Sequence, residues 1–329
     1  MTRRPRLAIT LGDPCGIGPE LLVKALPTLE SWADLHIFGA RAGLQLLAST
    51  PSSVLQSVRH DLAWTDPTPD LRMDSLVLGQ GSAASGRAAV EAVRAGAQWV
   101  MAGCADALVT LPLAKSAAHL AGYDIPGHTE FLQQLSGAPR TRMAFASPTL
   151  NVVLHTVHQS LRSVIEQLNA PAVAETLVFT AEAWGRLWER RNLRIALCAL
   201  NPHAGEEGAF GHEEIHLREA LNLAASQSDA TFFGPVPADT VFLRALRGEF
   251  DVVVALYHDQ GLIPMKVLEP ARAVNLTLGL PFVRCSPDHG TAFDIAGRGI
   301  ADPTNFLEAA TLALRLASRS SEVPCPPSP

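Results

Sequence analysis

The chain has no apolar run near the roughly 20 residues that a membrane span requires, so no spanning helix is expected. Its start, Arg3-Arg4-Pro5-Arg6, passes straight into a strand-like segment and lacks the apolar stretch of a secretory signal. Five cysteines, at 15, 104, 198, 285 and 325, form no Cys-x-x-Cys pair, which argues against a zinc ribbon or a disulfide framework and for a cytoplasmic protein. No Gly-x-Gly-x-x-Gly follows the first strand-like segment, because Gly79, Gly81 and Gly86 have the wrong spacing, and there is no Walker loop. Any nucleotide therefore binds outside those fingerprints. Lysine is scarce: of 26 basic residues only Lys24, Lys115 and Lys266 are lysine. A lysine kept in an arginine background marks a place where a compact ammonium suits better than a planar fork. The net charge of −6, with no basic cluster, excludes nucleic acid as the main partner.

What is present is a 329-residue chain, 47% apolar and 18% charged, enough for a substantial core and two domains. Strand-like and helix-like stretches alternate. Arg6–Leu11, Leu35–Phe38 and Ala107–Thr110 read as strands, and helices are expected near Pro19–Leu26, Gly86–Ala102, Ser160–Gln167, Ala170–Glu189 and Glu213–Ser226. Such alternation predicts an α/β fold with a largely parallel sheet. Residues 51–72 read as irregular, and 319–329 as a disordered tail.

Three apolar runs end in histidine: Val152-Val153-Leu154 before His158, Ile195-Ala196-Leu197 before His203, and Val252-Val253-Val254 before His258. Open α/β sheets bind ligands at the carboxyl ends of their strands. One histidine there is more often a satisfied polar residue, but three in matching contexts are candidates for one metal centre.

Four polar, glycine-bearing stretches accompany them. The turn at 12–20, Gly-Asp-Pro-Cys-Gly-Ile-Gly-Pro-Glu, is either a plain tight turn or a ligand contact. Lys115 with Gly127-His128-Thr129-Glu130 offers a cation and neutral donors, with Thr129 also readable as a helix cap. Asn201-Pro202-His203-Ala204-Gly205-Glu206 puts an imidazole in a loop with little packing purpose, and a stiff segment after it presents Asp239. The last stretch runs from Tyr257-His258-Asp259-Gln260-Gly261 through Lys266, Asn275 and Arg284 to Gly297-Arg298-Gly299, and its Lys, Asn and Arg make a sensible clamp for a phosphate monoester.

Taken together, these strings resemble the 4-hydroxythreonine-4-phosphate dehydrogenase (PdxA) family over nearly the whole chain, from the 12–20 turn to Asp-His-Gly-Thr-Ala-Phe-Asp-Ile-Ala-Gly-Arg-Gly at 288–299. The resemblance implies a two-domain α/β/α fold like isocitrate and isopropylmalate dehydrogenases, with an active-site cleft between the domains. Residues 1–135 plus 290–318 would form the first domain, and 136–289 the second, carrying the metal ligands and a homodimer interface. It makes His158, His203 and His258 ligands of a divalent metal (zinc, magnesium or cobalt), completed across that interface. His128, Thr129, Lys266, Asn275 and Arg284 would contact substrate. The chain departs from the family's usual pattern at Cys15, at Leu111 and in the Gln-Ser-Leu that follows His158.

The resemblance further implies oxidation of 4-phosphooxy-L-threonine at C3 by NAD or NADP and loss of CO2, giving 3-amino-2-oxopropyl phosphate for pyridoxal 5'-phosphate synthesis. The cofactor would lie along the loops of 275–299. Asp239, Lys115 and a water on the metal are all candidates for the general base. Relatives acting on D-threonate or D-erythronate 4-phosphate, and a metal-dependent hydrolase, are the alternative readings.

Overall fold

The computed structural model describes residues 3–49 and 62–318, so the tail at 319–329 lies outside the described residues. The described residues fall into two compact units, those up to 141 with 279–318, and 142–278. Among the described residues no helix is long and apolar enough to cross a membrane.

The first unit opens with β1 (Arg6–Thr10), α1 (Gly18–Trp32), β2 (Asp34–Phe38), α2 (Arg41–Ala48) and β3 (Ala63–Thr65), a short strand in a segment expected to be irregular. Next come α3 (Ala83–Met101), β4 (Ala107–Thr110), α4 (Lys115–Leu120) and α5 (His128–Ser136). Helix α1 continues six residues past Leu26, through Pro27. An interior proline costs about 3 kcal/mol, and burial of Leu26 and Leu29 on this helix offsets it.

The second unit contains β5 (Arg142–Ala146), β6 (Asn151–Leu154), α6 (Leu161–Gln167), α7 (Ala170–Trp188), β7 (Arg194–Cys198) and α8 (Glu214–Ala225). It is completed by β8 (Thr231–Val236), α9 (Ala238–Leu246), β9 (Val252–Ala255), α10 (His258–Leu268) and β10 (Val274–Leu278). Its strands lie in the order β10-β5-β6-β9-β7-β8. The β10–β5 and β5–β6 pairs are antiparallel, whereas β6, β9, β7 and β8 run parallel. Val152, Leu154, Ala196, Val253 and Ala255 pack with Val241, Phe242 and Ala245 of α9 and Leu262 and Met265 of α10. The intervening Val153, Ile195, Leu197 and Val254 are equally buried, so the sheet is covered on both faces, as parallel sheets require.

The chain then returns to the first unit with β11 (Val283–Pro287) and α11 (Thr304–Ala317). That unit's strands lie in the order β3-β2-β1-β4-β11, and every neighbouring pair is parallel. The pairing of β11 with β4 makes residues 279–289 part of the first unit, whereas the resemblance puts the return at 290. Ala8, Phe38 and Leu108 pack under Val90, Val93 and Ala97 of α3. A Cβ on Gly86 of α3 would sit 2.0 Å from the carbonyl oxygen of Ala117, so only glycine admits α4 this close.

The 12–20 turn knots this unit together. Gly12 takes φ +72°, and a Cβ there would sit 2.2 Å from the Pro112 carbonyl oxygen. That oxygen accepts from Asp13 N at 2.8 Å, and Thr291 O accepts from Ile17 N at 3.0 Å. Glu20, wholly buried, accepts from Ala301 N at 2.8 Å and pairs with Lys24 at 2.9 Å. Lys24 Nζ in turn donates to the carbonyls of Gly299 and Ala301 at 2.8 and 2.6 Å.

Asp13 is also wholly buried, accepting from Cys15 N at 2.9 Å and from Ser85 Oγ at 3.1 Å. Burial outweighs those bonds and pushes its carboxyl from 3.8 up to about 6. The folded state therefore holds this proton more tightly than the unfolded chain, and stability is lost as pH rises from about 4 through about 6. Asp13→Asn, which keeps an acceptor for Cys15 N, should raise the unfolding free energy near neutral pH, by at most about 3 kcal/mol. The gain should vanish near pH 4. Urea unfolding at both pH values checks this, and an equal effect at the two would refute it.

Candidate functional site

The parallel order of β6, β9 and β7 brings the three histidine-bearing loops to one edge of the second unit's sheet. The β6–β9 ladder continues past the strands: His155 N donates to Ala255 O at 2.8 Å and Thr156 N to Leu256 O at 3.2 Å. His155 faces away from any ligand role, its Nδ1 lying 2.8 Å from Thr176 Oγ1. Burial, aided by the Arg142 cation, drops that imidazole from 6.5 to about 4, so it is neutral.

Beyond it the rings of His158 and His258 lie 5.9 Å apart between centroids. Two imidazoles sharing a tetrahedral cation at about 2.0–2.1 Å would have centroids roughly 5 to 6 Å apart. His258 Nδ1 contacts the Asp259 carboxylate at 2.7 Å, so Nε2 is the nitrogen this ring could offer to an ion, as in histidines whose other ring nitrogen is held by a carboxylate. The pair thus fits a divalent ion.

His203 does not complete a cage in the same chain. Among the described residues no three His, Cys, Asp or Glu side chains are gathered to hold a metal. His203 is exposed, its ring 6.1 Å from that of Phe210. Its loop is unusual: His203, Ala204, Gly205, Glu206 and Glu207 all take positive φ, between 40° and 79°. Four of the five carry a Cβ, and each such residue costs about 1–2 kcal/mol in this conformation. Strain of this kind persists only where the surroundings impose it.

Two side chains brace the backbone that leads into this loop. Glu214, buried at the start of α8, takes the N–H groups of Leu200 and Asn201 on Oε1 at 3.1 and 2.7 Å. The Asn201 amide donates to Glu214 Oε2 at 2.9 Å and to Glu213 Oε2 at 2.7 Å. Gln260 in α10 joins two strand ends, accepting from Leu256 N at 2.7 Å and donating to Ala199 O at 2.8 Å. The clearest sequence signal for Glu214 is the doubled acid Glu213-Glu214 opening a helix.

Lys115, His128, Thr129 and Arg284 lie in the first unit, and Asp239, Lys266 and Asn275 in the second with the histidines. Helix α5 starts at His128 with Gly127 as its cap residue and no side-chain cap, so Thr129 sits inside the helix and does not cap it. A Cβ on Gly127 would lie 3.1 Å from Glu130 Oε2 and 3.7 Å from Lys115 Nζ, which places both groups beside that glycine.

Arg284 on β11 is 1% exposed, and its Nη2 and Nε donate to Thr110 Oγ1 at 2.6 and 3.1 Å. Burial lowers its guanidinium from 12.5 to about 10, still cationic at neutral pH. His128 Nε2 is shielded and has no hydrogen-bond partner. Burial first, then the Arg284 and Lys115 cations, hold that imidazole well below 6.5. Glu130 Oε2 is likewise shielded and unpartnered. The cluster is a desolvated cation beside a neutral hydrogen-bonding ring, chemistry suited to an anion with further polar groups.

In the second unit, Asp239 is exposed in the first turn of α9, and Lys266 is exposed in the last turn of α10. Asn275 on β10 has a shielded Oδ1 with no partner.

The chain matches the family described as pyridoxal phosphate biosynthetic protein PdxA over residues 32–313. It is 39% identical over 326 residues to a Geobacter metallireducens protein named 4-hydroxythreonine-4-phosphate dehydrogenase, covering 95% of this chain and 96% of that one. It is 40% identical over 343 residues to a Bradyrhizobium diazoefficiens protein named "Putative D-threonate 4-phosphate dehydrogenase", covering 98% and 99%. Its fold is similar to a solved 4-hydroxythreonine-4-phosphate dehydrogenase from Klebsiella pneumoniae, with a TM-score of 0.82 at 36% identity, covering 95% of this chain and 99% of that chain.

The His128 environment gives a direct test. Its Cε1–H resonance should stay at the neutral position from pH 8 down to well below 6.5, because the folded ring resists protonation. The unfolded chain takes the proton first on acidification, so this group removes stability as pH falls below about 6.5. Adding inorganic phosphate should move the midpoint upward by offsetting the nearby cations. A midpoint at or above 6.5 without phosphate would contradict the enclosure.

Proposed function

The chain belongs to the PdxA family of pyridoxal phosphate biosynthetic proteins, and we propose that it oxidises 4-phosphooxy-L-threonine at C3 with NAD or NADP. The resulting β-keto acid loses CO2, giving 3-amino-2-oxopropyl phosphate and reduced cofactor, in the cytoplasm. The observation that carries this reading is the match along almost the full length of relatives bearing that dehydrogenase name. The chemistry of each unit supports it: a desolvated cation beside a neutral imidazole in the first, and the neighbouring His158 and His258 rings in the second.

In this reading Arg284 and Lys266 hold the phosphate, and remote binding energy spent there positions C3 for reaction. Arg284 is the stronger anchor, because a desolvated guanidinium gains more from an anion than an exposed ammonium does. His128, neutral, contributes a hydrogen bond without adding charge, and Thr129 and Asn275 fix the remaining polar groups. Asn275 Oδ1 and His128 Nε2, both unpartnered, are where substrate donors or acceptors would be satisfied. Asp239 and Lys115 are the two side chains offered for taking the C3 hydroxyl proton.

His158, His203 and His258 would hold one divalent ion (zinc, magnesium or cobalt), with the set completed between two copies of the chain. When bound, that ion supplies Lewis acidity toward the substrate's C3 oxygen, and the nicotinamide supplies the hydride acceptor.

A second reading, D-threonate or D-erythronate 4-phosphate as substrate, is favoured by the 40%-identical relative that carries the D-threonate name. Both acids differ from 4-phosphooxy-L-threonine at C2, away from the phosphate clamp.

Steady-state formation of reduced cofactor from the three phosphorylated acids, with NAD and with NADP, decides between these readings. The highest kcat/KM is expected for 4-phosphooxy-L-threonine. Preference for either aldonate would move the chain to the second reading, and phosphate release without reduced cofactor would make it a hydrolase. Asp239→Asn and Lys115→Met separate the two proposed bases: the variant lacking the base should lose about 10²–10⁴-fold in kcat, and the other should change KM more than kcat.

A further inference from the structure

The loop carrying His203 combines an exposed imidazole, five consecutive left-handed residues and a buried carboxylate beneath them. Apart from Gly205, nothing in the local sequence favours that backbone, since the other four residues are not glycine. The carboxylate is Glu214, whose two oxygens receive three N–H groups from Leu200 and Asn201, the two residues preceding Pro202-His203. A Cβ on Gly205 would sit 2.8 Å from Glu214 Oε2, so glycine at that position, with φ +79°, lets the loop lie against the carboxylate in its present place. The Asn201 amide is gripped a second time by Glu213.

We propose that Glu214, acting through Leu200 and Asn201, is the positioning residue for His203: it holds the left-handed turn that aims the imidazole as a metal donor. The proposal rests on the reading of His203 as a ligand. Three bonds converge on two carboxylate oxygens, so replacing either oxygen with an N–H group sets donor against donor. Glu214→Gln has nearly the shape of the native side chain but cannot restore the bond network in either amide orientation. The loop then relaxes toward right-handed or extended backbone, and the imidazole leaves its direction.

The test uses full-length protein and cobalt(II) alone as the probe, with affinity from calorimetry and geometry from the visible spectrum of the bound ion. Outer-sphere partners of metal ligands are worth about 10–100-fold in affinity. Glu214→Gln should weaken cobalt binding by about that factor, with unchanged far-ultraviolet circular dichroism and faster proteolysis within 203–209. Excess cobalt should restore kcat without altering the substrate KM, a rescue that general destabilisation would not give.

Cobalt affinity within twofold of wild type in Glu214→Gln, alongside strong loss in His203→Ala, overturns the positioning role and leaves the metal reading standing. Unchanged binding in His203→Ala overturns the metal reading, and the proposal with it. Should Glu214→Gln not fold, Asn201→Ala serves instead. It keeps both backbone bonds to Glu214 and removes the side-chain grip, and a several-fold loss supports the proposal whereas none overturns it.

Discussion

Parallel strand pairing is the constraint on which the proposed chemistry depends. In the second unit β6, β9 and β7 are neighbours that run the same way, so their carboxyl ends emerge at one edge. Residues 158, 203 and 258 are up to 100 positions apart, and no local structure could gather them. Hydrogen bonds that continue the ladder to Thr156 and Leu256 keep the edge ordered beyond the strands. The Gln260 side chain substitutes for the ladder where β9 and β7 end, bonding both Leu256 N and Ala199 O. A buried polar backbone group without such a partner would cost about 1–3 kcal/mol.

In the first unit, burial sets the electrostatics. Arg284 remains a cation although desolvation weakens its hold on the proton, while the adjacent His128 is kept neutral by the same burial and by the same cation. One environment therefore produces two different hydrogen-bonding groups side by side. The chain's sparing use of lysine also becomes intelligible in part. Lys24 is structural, its ammonium placing two carbonyls and the Glu20 carboxylate around a single nitrogen, which a planar guanidinium fork matches poorly. Lys115 flanks Gly127, as the sequence pairing of the two suggested.

Much of the α/β framework was legible because apolar runs and helical periods are local signals. Ala107–Thr110 is a strand with the bounds expected, and the helices near 160, 170 and 213 begin within one residue of expectation. What sequence reading missed depends on tertiary partners. Pro27 reads as a stop and is overridden by the buried leucines around it. Thr129 reads as a cap, yet Gly127 takes that position, with Lys115 and Glu130 beside it. The left-handed run at 203–207 contradicts every local propensity but that of Gly205, and the carboxylate beneath it comes from the next helix. The three histidines could be read as candidates from their position after strands. The residues that brace the backbone beside them could not, because Glu214 and Gln260 announce themselves only through the backbone groups they satisfy.

The first unit is assembled from two separated stretches of chain, with β11 and α11 arriving only after the whole of the second unit. During synthesis, the second unit is a continuous segment and is complete on leaving the ribosome, able to fold as domains generally do. The first unit at that moment has β4 as a bare sheet edge and lacks the helix destined to cover β4 and β11. Arg284 is carried on the missing strand, so the desolvated cation joins the cluster last. Ribosomal emergence thus gives the molecule an order of maturation: the histidine-bearing edge can form first, and Arg284 joins His128 only once β11 has been inserted.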